Sequence, residues 1–328
     1  CEACHGGAGG GGSGWLASHY AVGNSHAANV RRGLYPTDNP RARAALCLDC
    51  HFGSESPGQF TNHRIMAAGH PRLAFELDLF SSLQQHWDED ADYRQRKGAT
   101  NHVKLWAVGQ ATALERSLRL YADQRLGTEG IFPEFYFFDC HTCHRRIYDD
   151  PDARPTGIAN PARPIPRGFP SYQDENMIML SAATRVVAPG LAERFDRDSR
   201  AFHAALAQGR SAALEAGGRL RASANALADA FASASFSRAQ TFAIIDAVTS
   251  GAIAERYTDY EGSVQAVMAT DTLVNALVSQ GTISEGQVSG IRDDINIAYG
   301  AVREPNAYRP AEFRAALGRA AAAIGRLR

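Results

Sequence analysis

Six cysteines occur in this chain of 328 residues, and all six fall within one five-residue pattern that appears three times. Cys1-Glu-Ala-Cys4-His5, Cys47-Leu-Asp-Cys50-His51 and Cys140-His-Thr-Cys143-His144 each offer two thiols with an imidazole directly behind the second. That spacing suits one chemistry well. Two thiols can form thioethers to the vinyl groups of a porphyrin while the next residue gives a nitrogen to its iron, the attachment pattern of c-type haem. Two rivals draw on the same residue types. Zinc takes Cys-x2-Cys pairs in tetrahedral sites, but it needs a second pair at related spacing, and the intervals between the three copies do not repeat. Structural disulfides leave unexplained why a histidine follows every pair. The pattern predicts three covalent haems, attached at Cys1, Cys4, Cys47, Cys50, Cys140 and Cys143, with His5, His51 and His144 as proximal iron ligands.

A haem iron held this way takes a second axial ligand, His or Met, or none. The remaining histidines are His19, His26, His63, His70, His86, His102, His141 and His203. His70 ranks first, because a Gly-His-Pro turn presents its imidazole on a short rigid stalk. His63 lies two helical turns earlier if the segment between is helical, so it could serve a different haem. His26 and His19 follow. His86 and His102 read better as surface or hydrogen-bonded histidines, His141 is crowded by its own motif, and His203, in the far half of the chain, reads as ordinary surface. Met66 stands near two histidines, but core packing suits it better than ligation. Histidine on both faces gives lower potentials than a His/Met pair.

These side chains need elements to hold them. The glycine-rich stretch 6–14 reads as loop, able to pass close to a porphyrin face or to serve as a linker. Tyr35 to Pro40 reads as a turn, and a short helix from Ala42 to Leu46 delivers Cys47. Phe52 to Asn62 is loop-like. Leu73 to Phe80 carries apolar residues at a helical interval, and Asp88 to Lys97 is charged and solvated. A long helix is expected from about Asn101 to Gln124, on the period of Leu105, Val108, Thr112, Leu114, Leu118 and Tyr121. The phenylalanine-rich run Ile131 to Phe138 introduces the third motif and is expected to wall its haem. Prolines then crowd residues 151–170, which forbids long helices, and 151–176 reads as an extended strap.

Beyond the strap the chain is alanine-rich and free of cysteine. Leu220, Ala224, Leu227 and Phe231 mark one helical stripe, and Val264, Val267, Val274, Leu277 and Val278 another. Gly251 and Gly281 fit helix ends, Ser284 to Gln287 reads as a capping box, and Pro310 suits the first turn of a final helix. Five or six helices packed as a bundle are expected, with no metal cluster, nucleophile arrangement or phosphate loop. The bundle reads as a docking module or as a scaffold covering the haem region. The fold class expected is mainly α: a loop-rich haem domain over 1–150, the strap over 151–176, and an α-helical bundle over 177–328.

Apolar residues make up 45% of the chain, an ordinary share for a globular core. A formal charge of −1 gives no pull toward nucleic acid or anionic membrane, and no apolar run is long enough for a transmembrane helix. Covalent c-type haem is assembled outside the cytoplasm, so a periplasmic, extracellular or outer-membrane-associated protein is expected. Cys1, itself an expected haem cysteine, opens the sequence, which leads us to expect natural sequence before it and one more haem there.

Several segments carry a resemblance. Cys1 to His5 with Trp15-Leu16, Ser25-His26-Ala, Gly33-Leu-Tyr-Pro36, Cys47 to His51 with Gly53, and His63 through Ala-Gly-His70-Pro to Phe75-Glu-Leu look like the multihaem cytochromes c. The nearest in pattern are the tetrahaem cytochromes that accept electrons from hydroxylamine oxidoreductase. Phe138-Asp-Cys140 to His144 looks like the last haem segment of that group. The resemblance covers residues 1–150. It implies that His70, His63 and His26 are distal ligands and that the haems lie in closely stacked pairs. Family members carry a further Cys-x-x-Cys-His upstream, which this sequence lacks; if an upstream haem exists, one of these histidines could serve it.

The expected function is electron transfer by an exported multihaem carrier with three haems, mostly ligated by two histidines and working with redox protein partners. The alternative is a haem enzyme that acts on a small nitrogen or sulfur compound at a five-coordinate iron, aided by donors such as Arg64, Arg145 or His141. A third reading is an electron-carrying subunit of a larger complex or polymer, with the helical half as contact surface.

Overall fold

The computed structural model describes residues 2–6, 14–20, 25–85, 88–128, 132–144, 162–166, 169–253 and 259–328. The chain is mainly helical, and among the described residues there is no strand; Phe138 and Tyr172 form an isolated antiparallel bridge. No helix among them is long and apolar enough to cross a membrane.

The N-terminal half runs through short helices: α1 (Glu2–His5), α2 (Trp15–His19), α3 (His26–Arg31), α4 (Pro40–His51), α5 (His63–Ala67), α6 (Leu77–Leu83) and α7 (Ala91–Lys97). They are arranged around α8 (His102–Ala122), on which the molecule is built. Asn101 starts α8 by accepting the Lys104 N–H at 2.9 Å. Nearly every residue of α8 is buried, polar Gln110, Arg116 and Ser117 included, so α8 is a core helix rather than an amphipathic surface one. Gly109 permits the closest approach on it: a Cβ there would lie 2.9 Å from the Cβ of Leu77 at the start of α6.

After the strap come α9 (Glu175–Val187), α10 (Pro189–Leu206), α11 (Arg210–Ser233), α12 (Arg238–Ile253), α13 (Tyr260–Ser279), α14 (Glu285–Ala301) and α15 (Pro310–Gly325). These are seven helices where five or six were expected. Pro189 accounts for one added boundary, since the residue before a proline is driven out of the α region and Ala188 sits at φ −132°, ψ 55°. Leu220, Ala224, Leu227 and Phe231 are fully buried along α11, which packs directly on α8. α9 and α13 also pack on α8, and one continuous apolar core runs from Ala44 to Ile324. The Ser284 capping box and Pro310 in the first turn of α15 are present as expected. Gly281 has φ +66° just past α13, but Gly251 lies inside α12.

Three local expectations change. The helix expected to stop at Leu46 continues as α4 through His51, so the second motif is itself helical. The helix expected from Leu73 begins only at Leu77, where Glu76 caps it by accepting the Asp78 and Leu79 N–H groups at 3.0 and 2.7 Å. Asp88 to Lys97, expected only as charged and solvated, contains the exposed helix α7, capped by Asp90.

Candidate functional site

The second motif owes its presentation to helix geometry. Cys47, Cys50 and His51 stand at i, i+3 and i+4 on α4, so they share one face. Arg116 of α8 holds the end of that helix: buried to 3% exposure, it donates to Gly53 O at 2.8 Å and Ala45 O at 3.2 Å and pairs with Asp49. The His51 ring stacks on Phe75, with centroids 4.6 Å apart and planes 7° from parallel. Phe75 is fixed in turn by Gln265 of α13, which donates to its carbonyl at 3.1 Å. The histidine thus lies against a ring anchored from the other half of the chain.

The first motif sits beside the second. Cys4 and His5 are exposed, and Cys4 is near enough to Cys47 to bear on its thiol electrostatically. The His5 carbonyl accepts the Tyr35 N–H at 2.9 Å, and Trp15 donates to Gly6 O at 3.1 Å. Cys1 lies outside the described residues, as do most of the glycine stretch, His86, Arg145 and much of the strap.

The third motif is a single turn of 3-10 helix over Cys140–Thr142, capped by Asp139. The strap sets it in place: Asp139 N–H donates to Ser171 O at 2.8 Å, and Gln173 N–H donates to Phe137 O at 3.0 Å. The His144 N–H closes the turn on Cys140 O at 2.8 Å. Cys143 is exposed and Cys140 half-buried. Burial, with Glu261 beside it, pushes the Cys140 thiol up to about 12. None of the described cysteines forms a disulfide, and no group of three or more His, Cys, Asp or Glu among the described residues is arranged to cage a metal.

His63 lies against this motif. Its ring centroid is 6.3 Å from that of His144, and Phe135 packs edge-on at 5.1 Å. The two ring planes are tilted by 41°, and both imidazoles would be at hand for one bound iron at this motif. Glu134 makes the approach possible. Buried to 3% exposure, it accepts the His63 N–H at 2.8 Å and the Tyr136 N–H at 2.6 Å, tying the start of α5 to the turn before the third motif. No sequence pattern pointed to Glu134, because its two donors are distant from each other in the chain.

The other expected ligands are spread out. His70 is exposed beyond α5, whose cap at Ala68 is followed by Gly69 (φ +96°), so His63 and His70 do not share one helix. His26 Nε2 is 3.0 Å from Asp38 Oδ1, and His19 Nδ1 is 3.4 Å from Asn29 Nδ2. Neither is brought against His5 or His51 by any ring contact among the described residues. His102 Nδ1 pairs with buried Asp78 at 3.0 Å, the hydrogen-bonded state expected of it. That pair lines a cleft of about 530 Å³ with Arg43, Glu89 and Thr100. His141 Nδ1–H donates to Pro305 O at 2.8 Å. His203 is a correction: expected on the surface, it is 1% exposed and sits 3.0 Å from Asp174 Oδ2, because it lies on the inward side of α10 with Phe202 and Leu206. Met66 is partly buried against the core, as its packing reading required.

Compared with protein-family models, curated proteins and solved structures, the chain matches none.

Proposed function

We propose that this protein carries electrons on haem groups bound covalently at its three Cys-x-x-Cys-His motifs. The observation that carries the reading is the His63–His144 pair: two imidazoles 6.3 Å apart, beside thiols that make no disulfide. In this reading Cys140 and Cys143 hold a haem whose iron takes His144 and His63. Cys47, Cys50 and His51 hold a second against Phe75, and Cys4 and His5, with Cys1, hold a third. His70, His26 and His19 remain candidates for the opposite faces. Exposed Ile65, Leu73 and Phe135, from the segments around His63, His70 and the third motif, are apolar surface of the kind a porphyrin would cover.

When bound, the group supplies reversible one-electron chemistry, and the protein sets its ligation, burial and spacing. The chain's own residues do the positioning. Glu134 holds His63 at the third motif, Arg116 fixes the end of α4, and Gln265 fixes Phe75 against His51. Resemblance to the multihaem cytochromes c, redox protein partners and an exported location belong to the same proposal.

The test is the mass of the protein from a host competent in cytochrome c maturation, with the spectrum of its oxidised form and of its reduced form under carbon monoxide. Covalent haem at each motif, low-spin and indifferent to the gas, is the expected result. A haem-free mass overturns the proposal. A high-spin haem that binds the gas replaces the carrier with a haem enzyme acting on small nitrogen or sulfur compounds.

A further inference from the structure

Directly behind the third motif, where the strap meets α9, α10 and α13, the interior holds an unusual set of charges. Asp139, Asp174, Glu175, Asp259 and Glu261 are all buried. Facing them are the Arg72 and Arg163 guanidiniums, the His203 imidazole, and the hydroxyls of Tyr136, Tyr172 and Tyr308. Most of the carboxyls are matched. Arg163 pairs with both Asp174 and Asp259, and His203 pairs with Asp174. Arg72 pairs with Glu261, and Asp139 accepts the His141 and Glu261 N–H groups at 3.0 and 2.9 Å. Burial works against the charge of Asp174, but Arg163 and His203 outweigh it and hold that carboxyl below its ordinary range.

Glu175 is different. It is 7% exposed and its Oε2 has no hydrogen-bond partner among the described residues, although a backbone N–H donates to the carboxyl and Arg72 attracts it from nearby. A buried carboxylate left with an unsatisfied oxygen is unfavourable when charged and favours taking up a proton. Burial, reinforced by Glu261 and Asp174 against Arg72, pushes this carboxyl up to about 8.

We propose that Glu175 is a proton-binding site coupled to electron arrival at the third motif, so that this protein moves a proton with an electron. The inference rests on the reading of that motif as a haem site. The coupling path is short, electrostatic and built of named groups: Cys140 lies beside Glu261, Glu261 is paired with Arg72, and Arg72 and Glu261 both act on Glu175, so the link does not need the thiol hydrogen that a thioether would consume. One electron from a reductant adds one negative charge at the motif. One proton from water binds a Glu175 carboxylate oxygen and compensates it; on oxidation both leave. The sign follows from linkage: the reduced protein binds the proton more tightly, so the midpoint potential falls as pH rises through the range where the oxidised protein has released the proton and the reduced protein still holds it.

The test uses the haem-loaded full chain. Its haem content is first established by mass, and it is then titrated with dithionite and ferricyanide over about pH 6 to 10. We expect one haem to show a potential that falls with pH, approaching one proton per electron, and Glu175→Gln to abolish that slope while keeping its haem. The infrared reduced-minus-oxidised spectrum of the unsubstituted protein should gain a protonated carboxyl band, which reads the site even if the variant folds poorly. A pH-independent potential with haem bound, a slope that survives in Glu175→Gln, or no carboxyl band each overturns the proton site and leaves the haem reading standing. A haem-free mass overturns both.

Discussion

Replacing Glu134 by glutamine tests how the third motif acquires its second histidine. The glutamate is buried, and its two oxygens each accept one backbone N–H, from His63 at 2.8 Å and from Tyr136 at 2.6 Å. Glutamine has nearly the same shape but one acceptor oxygen, so one backbone donor would face an amide NH2 instead. Hydrogen bonds to charged groups contribute about 1.5–3 kcal/mol, and an unsatisfied buried donor is unfavourable by about 1–3 kcal/mol. The His63 N–H is only part-buried and water can partly satisfy it, so Glu134→Gln should destabilise the protein by about 2–4 kcal/mol. The assay is guanidinium unfolding of the haem-loaded protein, with carbon monoxide binding to its reduced form measured alongside. The midpoint should fall, and the gas should bind at the haem of Cys140 and Cys143 as His63 lets go. Stability unchanged to within about 0.5 kcal/mol, with no gas binding, would refute the role given to Glu134.

Other perturbations reach different links. His63→Ala should convert one haem to a high-spin, carbon monoxide-binding form and leave the others low-spin; paramagnetic resonance showing no new high-spin signal would remove His63 from the iron. Gly109→Ala should drive a Cβ into Leu77 and destabilise by about 1–3 kcal/mol, read as a lower thermal midpoint. Glu175 should make stability depend on pH. The unfolded chain releases this proton near the ordinary value of 4.5 while the folded protein keeps it until about 8, so the folded state binds more protons in between. Stability should therefore fall as pH rises through that window, by at most about 1.4 kcal/mol per pH unit from this group, and Glu175→Gln should flatten the slope.

Sequence and structure divide the molecule at a physical line. Each Cys-x-x-Cys-His motif is contiguous, so its residue types and spacing are visible without a fold, and α4 turns that spacing directly into a shared helix face. Helices α8 and α11 were visible because their apolar period is local, and so were the Ser284 cap and Pro310. Boundaries were less legible at Leu77 and Pro189, where a side-chain cap and a proline's steric effect on its predecessor decide the end of an element.

What stands opposite each motif is a matter of tertiary structure. His63 meets His144 because Glu134 bridges two turns, and Phe75 reaches His51 because Gln265 anchors it from α13. No window of sequence contains those pairs. Burial of charge is non-local in the same way. His203 lies on a stretch that reads as ordinary helix and Glu175 at the end of the expected strap, and only the convergence of the strap, α9, α10 and α13 removes them from water. The order of residues determined a mainly helical chain and three Cys-x-x-Cys-His motifs in contiguous residues. The packing around α8 decided which histidines and carboxyls share a site, because hydrogen bonds, desolvation and charge act through space rather than along the chain.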